Sequence, residues 1–131
     1  MKEFIHEKID IGYNDLVADT QPSGRTYIAP DGSKFPSITT VLSILSADAI
    51  AAWRKRVGEE EANKVSHRAS TRGTAVHDTI ERYLLNEDIS DCLPHIRQSV
   101  ENLRPILDEH ITKIYGLEVP LYSRHLGVAG R

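Results

Sequence analysis

The stretch ASTRGTAVHDTIERYLL, residues 69–85, decides the fold. Its apolar residues recur at helical spacing: Val76, Ile80, Tyr83 and Leu84. This spacing predicts an amphipathic helix with one buried face, and His77 lies at the edge of that face. Gly73 lies one turn before His77, where a better helix former would stabilise the helix by about 1 kcal/mol. The glycine therefore predicts a close approach by another backbone or a phosphate.

Upstream, the sequence predicts an arm and a β-hairpin. Residues 1–24 mix charged and apolar residues without a sustained period, and we expect a loosely attached N-terminal arm. Residues 25–29 and 34–35 flank the sequence Pro-Asp-Gly-Ser at 30–33. Pro-Asp-Gly favours a tight reversal because proline presets φ and glycine accepts positive φ. We therefore predict a short β-hairpin here.

Helices are expected to follow the hairpin. Ser37 can cap the first, which we expect to end near Ser46. Asp48 is predicted to cap a second helix, which Gly58 ends. The acidic run 59–61 favours the start of a third helix that continues into the central stretch.

From residue 70 onward, the sequence predicts a bend, a fourth helix and two strands. We expect a bend near residues 70–74, and an amphipathic helix that begins at Pro94. Alternating apolar residues over 117–122 predict a strand, and Pro120 favours an edge position for it. Residues 124–127 are predicted to turn the chain into a partner strand at 128–131.

Three blocks of this sequence resemble a known nuclease family. Gly73, His77 and Glu81 have the spacing G-x-x-x-H-x-x-x-E, which resembles a helix of the RecB-like and mitochondrial genome maintenance exonuclease-like nucleases of the PD-(D/E)XK superfamily. Two further blocks resemble blocks of the same family, and their order and spacing along the chain also match. They are residues 32–42 and residues 117–123, which lead into 126–131. The resemblance covers about residues 25 to 131.

The resemblance implies an α+β fold. We expect an N-terminal β-hairpin, about four helices, and the first strands of a restriction-endonuclease-like mixed sheet that is truncated at Arg131. Residues 25–131 would form the N-terminal portion of one nuclease domain. In that family the G-x-A-G-R strand runs into the first catalytic aspartate, and a later strand supplies a (D/E)-x-K triplet. The sequence ends at Arg131, so these residues are absent from it.

The resemblance also implies a metal site. It makes His77 a metal ligand, and Glu118 the acid on the strand that precedes the G-R strand, with Mg²⁺ or Mn²⁺ as the cofactor. The plainer alternatives are a hydrogen-bonded histidine at a helix edge and a solvated strand carboxylate. One imidazole and one carboxylate are too few ligands to hold either ion tightly.

Several residues are candidates for binding nucleic acid. Arg72 is placed to reach a phosphate bidentately, and its alternative is a surface salt bridge to a glutamate. Trp53 beside basic residues could stack on a single strand, and its alternative is a core position with the basic residues in solvent. The predicted contacts are Trp53, Arg54, Lys55, Arg72, Gly73 and Arg131.

Composition narrows the class of protein without deciding it. The net charge of −3 gives no overall electrostatic footprint for nucleic acid. The single cysteine, Cys92, excludes an internal disulfide and a cysteine-based zinc site, and it is typical of a reducing interior. No apolar run approaches the roughly 18 residues of a membrane span. We expect a cytoplasmic protein of a bacterial or phage-infected cell, with no membrane partner.

The resemblance predicts the N-terminal portion, truncated or a split half, of a metal-dependent DNA exonuclease in replication, recombination or repair. Its partners would be DNA, as single strands or ends, and a second polypeptide carrying the missing Asp and (D/E)-x-K. The alternative is a non-catalytic DNA-binding or protein-interaction module derived from such a nuclease. A complementing half should leave an unpaired edge at residues 128–131 and a large apolar patch, whereas a stand-alone module would cover that edge.

Overall fold

The computed structural model describes residues 2–131, which form an α+β structure. The strands are β1 (Ile5–His6), β2 (Val17–Gln21), β3 (Gly24–Ile28), β4 (Lys34–Pro36), β5 (Lys113–Ile114), β6 (Leu121–Ser123) and β7 (Val128–Gly130). The helices are α1 (Ile38–Ser43), α2 (Ala47–Val57), α3 (Glu59–Leu84) and α4 (Pro94–His110), with a 3₁₀ turn at Ile44–Ser46. The chain divides into two compact units. Unit 1 is residues 2–9 with Val57–Leu117, and unit 2 is Asp10–Arg56 with Glu118–Arg131.

Unit 1 is built on the two long helices α3 and α4. The acidic first turn of α3 complements the positive end of its helix dipole. The helix then runs without interruption to Leu84, so the predicted bend at residues 70–74 does not break it. A buried cluster joins the end of α3 to the short parallel strands β1 and β5, and its members are Phe4, Tyr83, Leu84 and Ile114.

The N-terminal residues are held in place, which corrects the prediction of a loose arm. Phe4 is only 2% exposed, and its ring meets the edge of the Tyr83 ring at a centroid distance of 5.4 Å. The Asn86 side chain accepts from Phe4 N at 2.7 Å and donates to Phe4 O at 2.9 Å. Residues 10–24 belong to unit 2, where Leu16 is buried and β2 pairs with β3. The partners of these short segments are distant in sequence, so no local period reveals them.

The predicted hairpin is confirmed in unit 2. Strands β3 and β4 pair antiparallel, and Gly32 in the connecting turn has a φ of +87°. β2 adds a third strand, which the sequence did not indicate, in the order β2-β3-β4. The core of the unit packs against this sheet and contains Leu16, Tyr27, Ala29, Phe35 and Ala129.

Most of the predicted helix starts and ends are confirmed. Ser37 caps α1, since its hydroxyl oxygen accepts from Thr40 N at 3.0 Å. Gly58, with a φ of +90°, separates α2 from α3. Asp48 lies in the first turn of α2 and is not its cap, because α2 begins at Ala47. Three helices are long and α1 has six residues, so the structure has three substantial helices rather than about four.

The C-terminal segment differs from its prediction. A strand was expected over residues 117–122, but β6 covers only Leu121–Ser123. Glu118 has a φ of +50°, a left-handed conformation that is incompatible with an extended strand. β6 and β7 form a hairpin of their own. The described residues therefore contain three small sheets rather than one mixed sheet.

Among the helices of residues 2–131, none combines the length and the apolar character needed to cross a bilayer.

Candidate functional site

The candidate site begins with one face of α3. Gly73, His77 and Glu81 lie four residues apart in an uninterrupted helix, so their positions share a face. His77 is exposed and Glu81 is half-buried. On another side of the helix, Thr79 and Tyr83 are buried and fix how the helix is oriented in unit 1. The residues of the predicted motif are therefore brought together as their spacing implied.

Gly73 lies in open space. A Cβ atom built on this glycine meets no other atom within 4 Å, once its own neighbouring helix backbone is set aside. Within residues 2–131 no other backbone comes within 4 Å of that Cβ position, so the predicted approach of another backbone is wrong. The approach of a phosphate to the same place stays a prediction.

Glu118 is placed differently from the expectation. It was predicted on a strand, but it lies in the left-handed conformation before β6 and is exposed. It belongs to unit 2, whereas His77 belongs to unit 1. The convergence of these two side chains on one metal stays a prediction.

The ligands present in this chain do not make a metal site by themselves. Within residues 2–131, no group of three or more His, Cys, Asp or Glu side chains is arranged to hold a metal ion. Mg²⁺ prefers near-octahedral oxygen coordination, and one imidazole with one carboxylate would hold it only weakly. His77 and Glu118 alone therefore do not make a complete metal centre.

Arg72 has a defined partner. Its Nη2 donates to the Ser99 hydroxyl at 3.0 Å, which links α3 to α4. The sequence offered a glutamate salt bridge as the alternative to phosphate binding, and the partner observed is instead a neutral hydroxyl. Because Ser99 carries no charge, this bond orients the guanidinium without neutralising it. The side chain is exposed, as a phosphate contact requires.

The predicted stacking helix is α2 of unit 2. Trp53 and Arg54 are half-buried, and Lys55 is exposed. No residue of α2 is buried, so the core position considered for Trp53 is wrong. Its ring is partly open to solvent beside basic residues, which is compatible with base stacking.

Arg131 is already engaged within unit 2. Its guanidinium pairs with the carboxylate of Asp15, and this hydrogen bond is the main cause that lowers the pKa of Asp15. A similar pair joins Arg124 to Asp31, whose pKa falls to about 2, first through the Ser33 backbone N–H and then through Arg124. A phosphate that binds Arg131 would compete with Asp15.

The edge expected to be open is partly covered. Ala129 in β7 pairs with Tyr122 in β6, and it also forms an isolated parallel bridge with Ser37. Ala129 is buried. Strand β7 therefore has a neighbour on both sides at this position.

Sequence reasoning missed the roles of Asp15, Ser37 and Ser99. Asp15 is 116 residues from Arg131, and Ser99 is 27 residues from Arg72. Pairs at such separations leave no local pattern. The sequence predicted Ser37 as a helix cap, but no sequence pattern indicated its bridge to Ala129 in β7.

The chain was compared with known proteins. No family model, no curated protein and no solved structure matches it.

Proposed function

We propose that this chain is the N-terminal portion of a metal-dependent DNA exonuclease of the PD-(D/E)XK superfamily, which hydrolyses phosphodiester bonds. The observation that supports this most is the α3 face formed by Gly73, His77 and Glu81, with open space over the glycine. A neutral imidazole is a metal ligand, and a bare backbone admits a phosphate close to the helix. Arg72, next to Gly73, would bind the same phosphate.

The proposal requires residues that the 131-residue sequence does not contain. An aspartate and a (D/E)-x-K triplet outside these 131 residues, in a continuation of the chain or in a second polypeptide, would complete a Mg²⁺ or Mn²⁺ site with His77 and Glu118. The β6–β7 hairpin would then supply the first strands of a restriction-endonuclease-like sheet. DNA single strands or ends would be the substrate, in the cytoplasm of a bacterial or phage-infected cell.

A second candidate function is a non-catalytic DNA-binding or protein-interaction module. The bridge between Ser37 and Ala129 favours it, because a closed strand edge has less need of a partner strand. The pairing of Arg131 with Asp15 favours the protein-interaction form of this candidate, since it occupies a predicted DNA contact.

Replacing Gly73 tests the role of the α3 face. Gly73→Ala should raise the free energy of unfolding by about 0.5–1 kcal/mol, because alanine is the better helix former and its Cβ meets no other atom. The same methyl group would occupy the space reserved for a phosphate, so we expect the affinity for a single-stranded oligonucleotide to fall by about tenfold. Urea denaturation and fluorescence anisotropy measure the two effects.

Thr71→Ala is the matched control for this change. Thr71 is exposed on the same helix but on a different face, so its replacement should leave DNA affinity unchanged. A Gly73→Ala variant that is more stable and binds DNA as tightly as the wild type would contradict the proposed use of this face.

A further inference from the structure

Arg131 is held by an acid that is distant in the sequence and belongs to the same unit. Its Nη2 donates to Asp15 Oδ1, across 116 residues of sequence. The core fixes both positions, because Leu16 and Ala129 are buried members of one cluster and lie within two residues of the pair. The fold of unit 2 therefore brings the two charged side chains together.

The Asp15 carboxylate resembles a phosphate group in how it binds this guanidinium. Carboxylate and phosphate oxygens both accept from the charged N–H donors of arginine, in the same geometry. Asp15 therefore occupies a donor that a DNA phosphate would use. Its hydrogen bond is also the first cause that raises the pKa of Arg131, and the nearby charge of Glu118 acts in the same direction. A phosphate that approaches Arg131 thus meets two negative groups.

The pair is open to solvent, so its partner can be exchanged. The Arg131 side chain is 42% exposed and the Asp15 side chain is 59% exposed. Ion pairs at such positions are weak, because water screens the attraction and the paired side chains lose freedom. A phosphate can therefore reach Arg131 from solvent and displace Asp15 at a small cost.

We propose that Asp15 is an autoinhibitory group that competes with DNA for Arg131. In the free chain the carboxylate occupies the guanidinium, and a bound phosphate releases it. The contact lowers the affinity for every DNA strand, so the strands that stay bound are those with enough other contacts to displace Asp15. This inference rests on the proposed function, because it takes Arg131 as a DNA contact.

Neutralising Asp15 tests the competition. Asp15→Asn removes the charge and keeps an oxygen that can accept from Leu16 N, as Asp15 Oδ1 does at 2.7 Å. We expect the affinity for a labelled single-stranded oligonucleotide to rise by about three- to fivefold, in keeping with the weakness of an exposed ion pair. Fluorescence anisotropy measures it at about 0.15 M salt, where charges more than about 8 Å apart are largely screened.

Asp31→Asn is the matched control. Asp31 is another aspartate of unit 2, its side chain is 47% exposed, and it pairs with Arg124 instead of Arg131. The substitution removes the same charge, so we expect it to change the affinity by less than about twofold. In a chain that carries Arg131→Gln, Asp15→Asn should bring no gain, because the guanidinium that it would release is absent.

Three results would overturn the inference. They are an unchanged or weaker affinity of Asp15→Asn, an equal gain in Asp31→Asn, and a gain that persists beside Arg131→Gln. If the wild type binds the oligonucleotide and any of these is found, the proposed function stands without the autoinhibitory contact. If neither the wild type nor any variant binds it, the inference and the proposed binding of DNA both fail. Circular dichroism checks that Asp15→Asn keeps the fold, and Asp15→Ser replaces it if the fold is lost.

Discussion

His77→Ala should lower the rate of DNA digestion at least about 100-fold in a complex of this chain with a polypeptide that carries Asp and (D/E)-x-K. Loss of a metal ligand removes several kcal/mol of transition-state stabilisation, and each 1.36 kcal/mol is tenfold in rate. The assay follows a labelled oligonucleotide in Mg²⁺. His67→Ala is the control, since His67 is exposed on the same helix and is outside the motif. Its rate should stay within about twofold of the wild type.

The isolated chain should show no digestion with either Mg²⁺ or Mn²⁺. A metal-dependent activity that purifies with the chain and disappears in His77→Ala would refute the requirement for acids from elsewhere. An active complex that tolerates His77→Ala would support the proposed nuclease function and contradict the role of His77 as a metal ligand. No complex and no activity on mixing would favour the binding module.

Phe4→Ala should lower the free energy of unfolding of unit 1 by about 3–5 kcal/mol. The ring of Phe4 is buried and meets Tyr83 edge-on, so the substitution removes both buried area and an aromatic pair. Natural domains have total stabilities of only about 5–15 kcal/mol, which makes this a severe loss. Urea denaturation followed by circular dichroism measures it.

Ile5→Ala is the control for this substitution. Ile5 is the next residue and is 60% exposed, so its replacement should change the stability by no more than about 0.5 kcal/mol. Equal stabilities for Phe4→Ala and the wild type would mean that the N-terminal segment is the loose arm that its sequence suggested.

Local signals predicted the parts of the fold that depend on neighbouring residues. The turn at residues 30–33, the cap at Ser37 and the break at Gly58 each depend on residues within one or two turns of them. Long-range pairing was not visible in the same way. β1 pairs with β5, more than a hundred residues away, and both strands are too short to show a period.

In the candidate site, too, local arrangements were predicted and long-range contacts were not. Gly73 and His77 share a face because helical spacing fixes it, so the sequence predicted their arrangement. The predicted strand over residues 117–122 was wrong. Apolar residues alternate there as they do in a strand, but the left-handed conformation of Glu118 and the nearby Pro120 prevent an extended strand. The pairing of Arg131 with Asp15 joins opposite ends of the chain, and no local pattern reveals it.

The most direct test of the proposal that His77 and Glu118 bind one metal ion is paramagnetic broadening by Mn²⁺. It is measured in the complex of this chain, labelled with ¹⁵N, with a polypeptide that carries Asp and (D/E)-x-K. A metal held jointly by both side chains should broaden the amide signals of His77 and Glu118 together at substoichiometric Mn²⁺. It should leave distant amides of the same units sharp. Broadening at only one of the two residues, or at neither, would contradict the shared metal site.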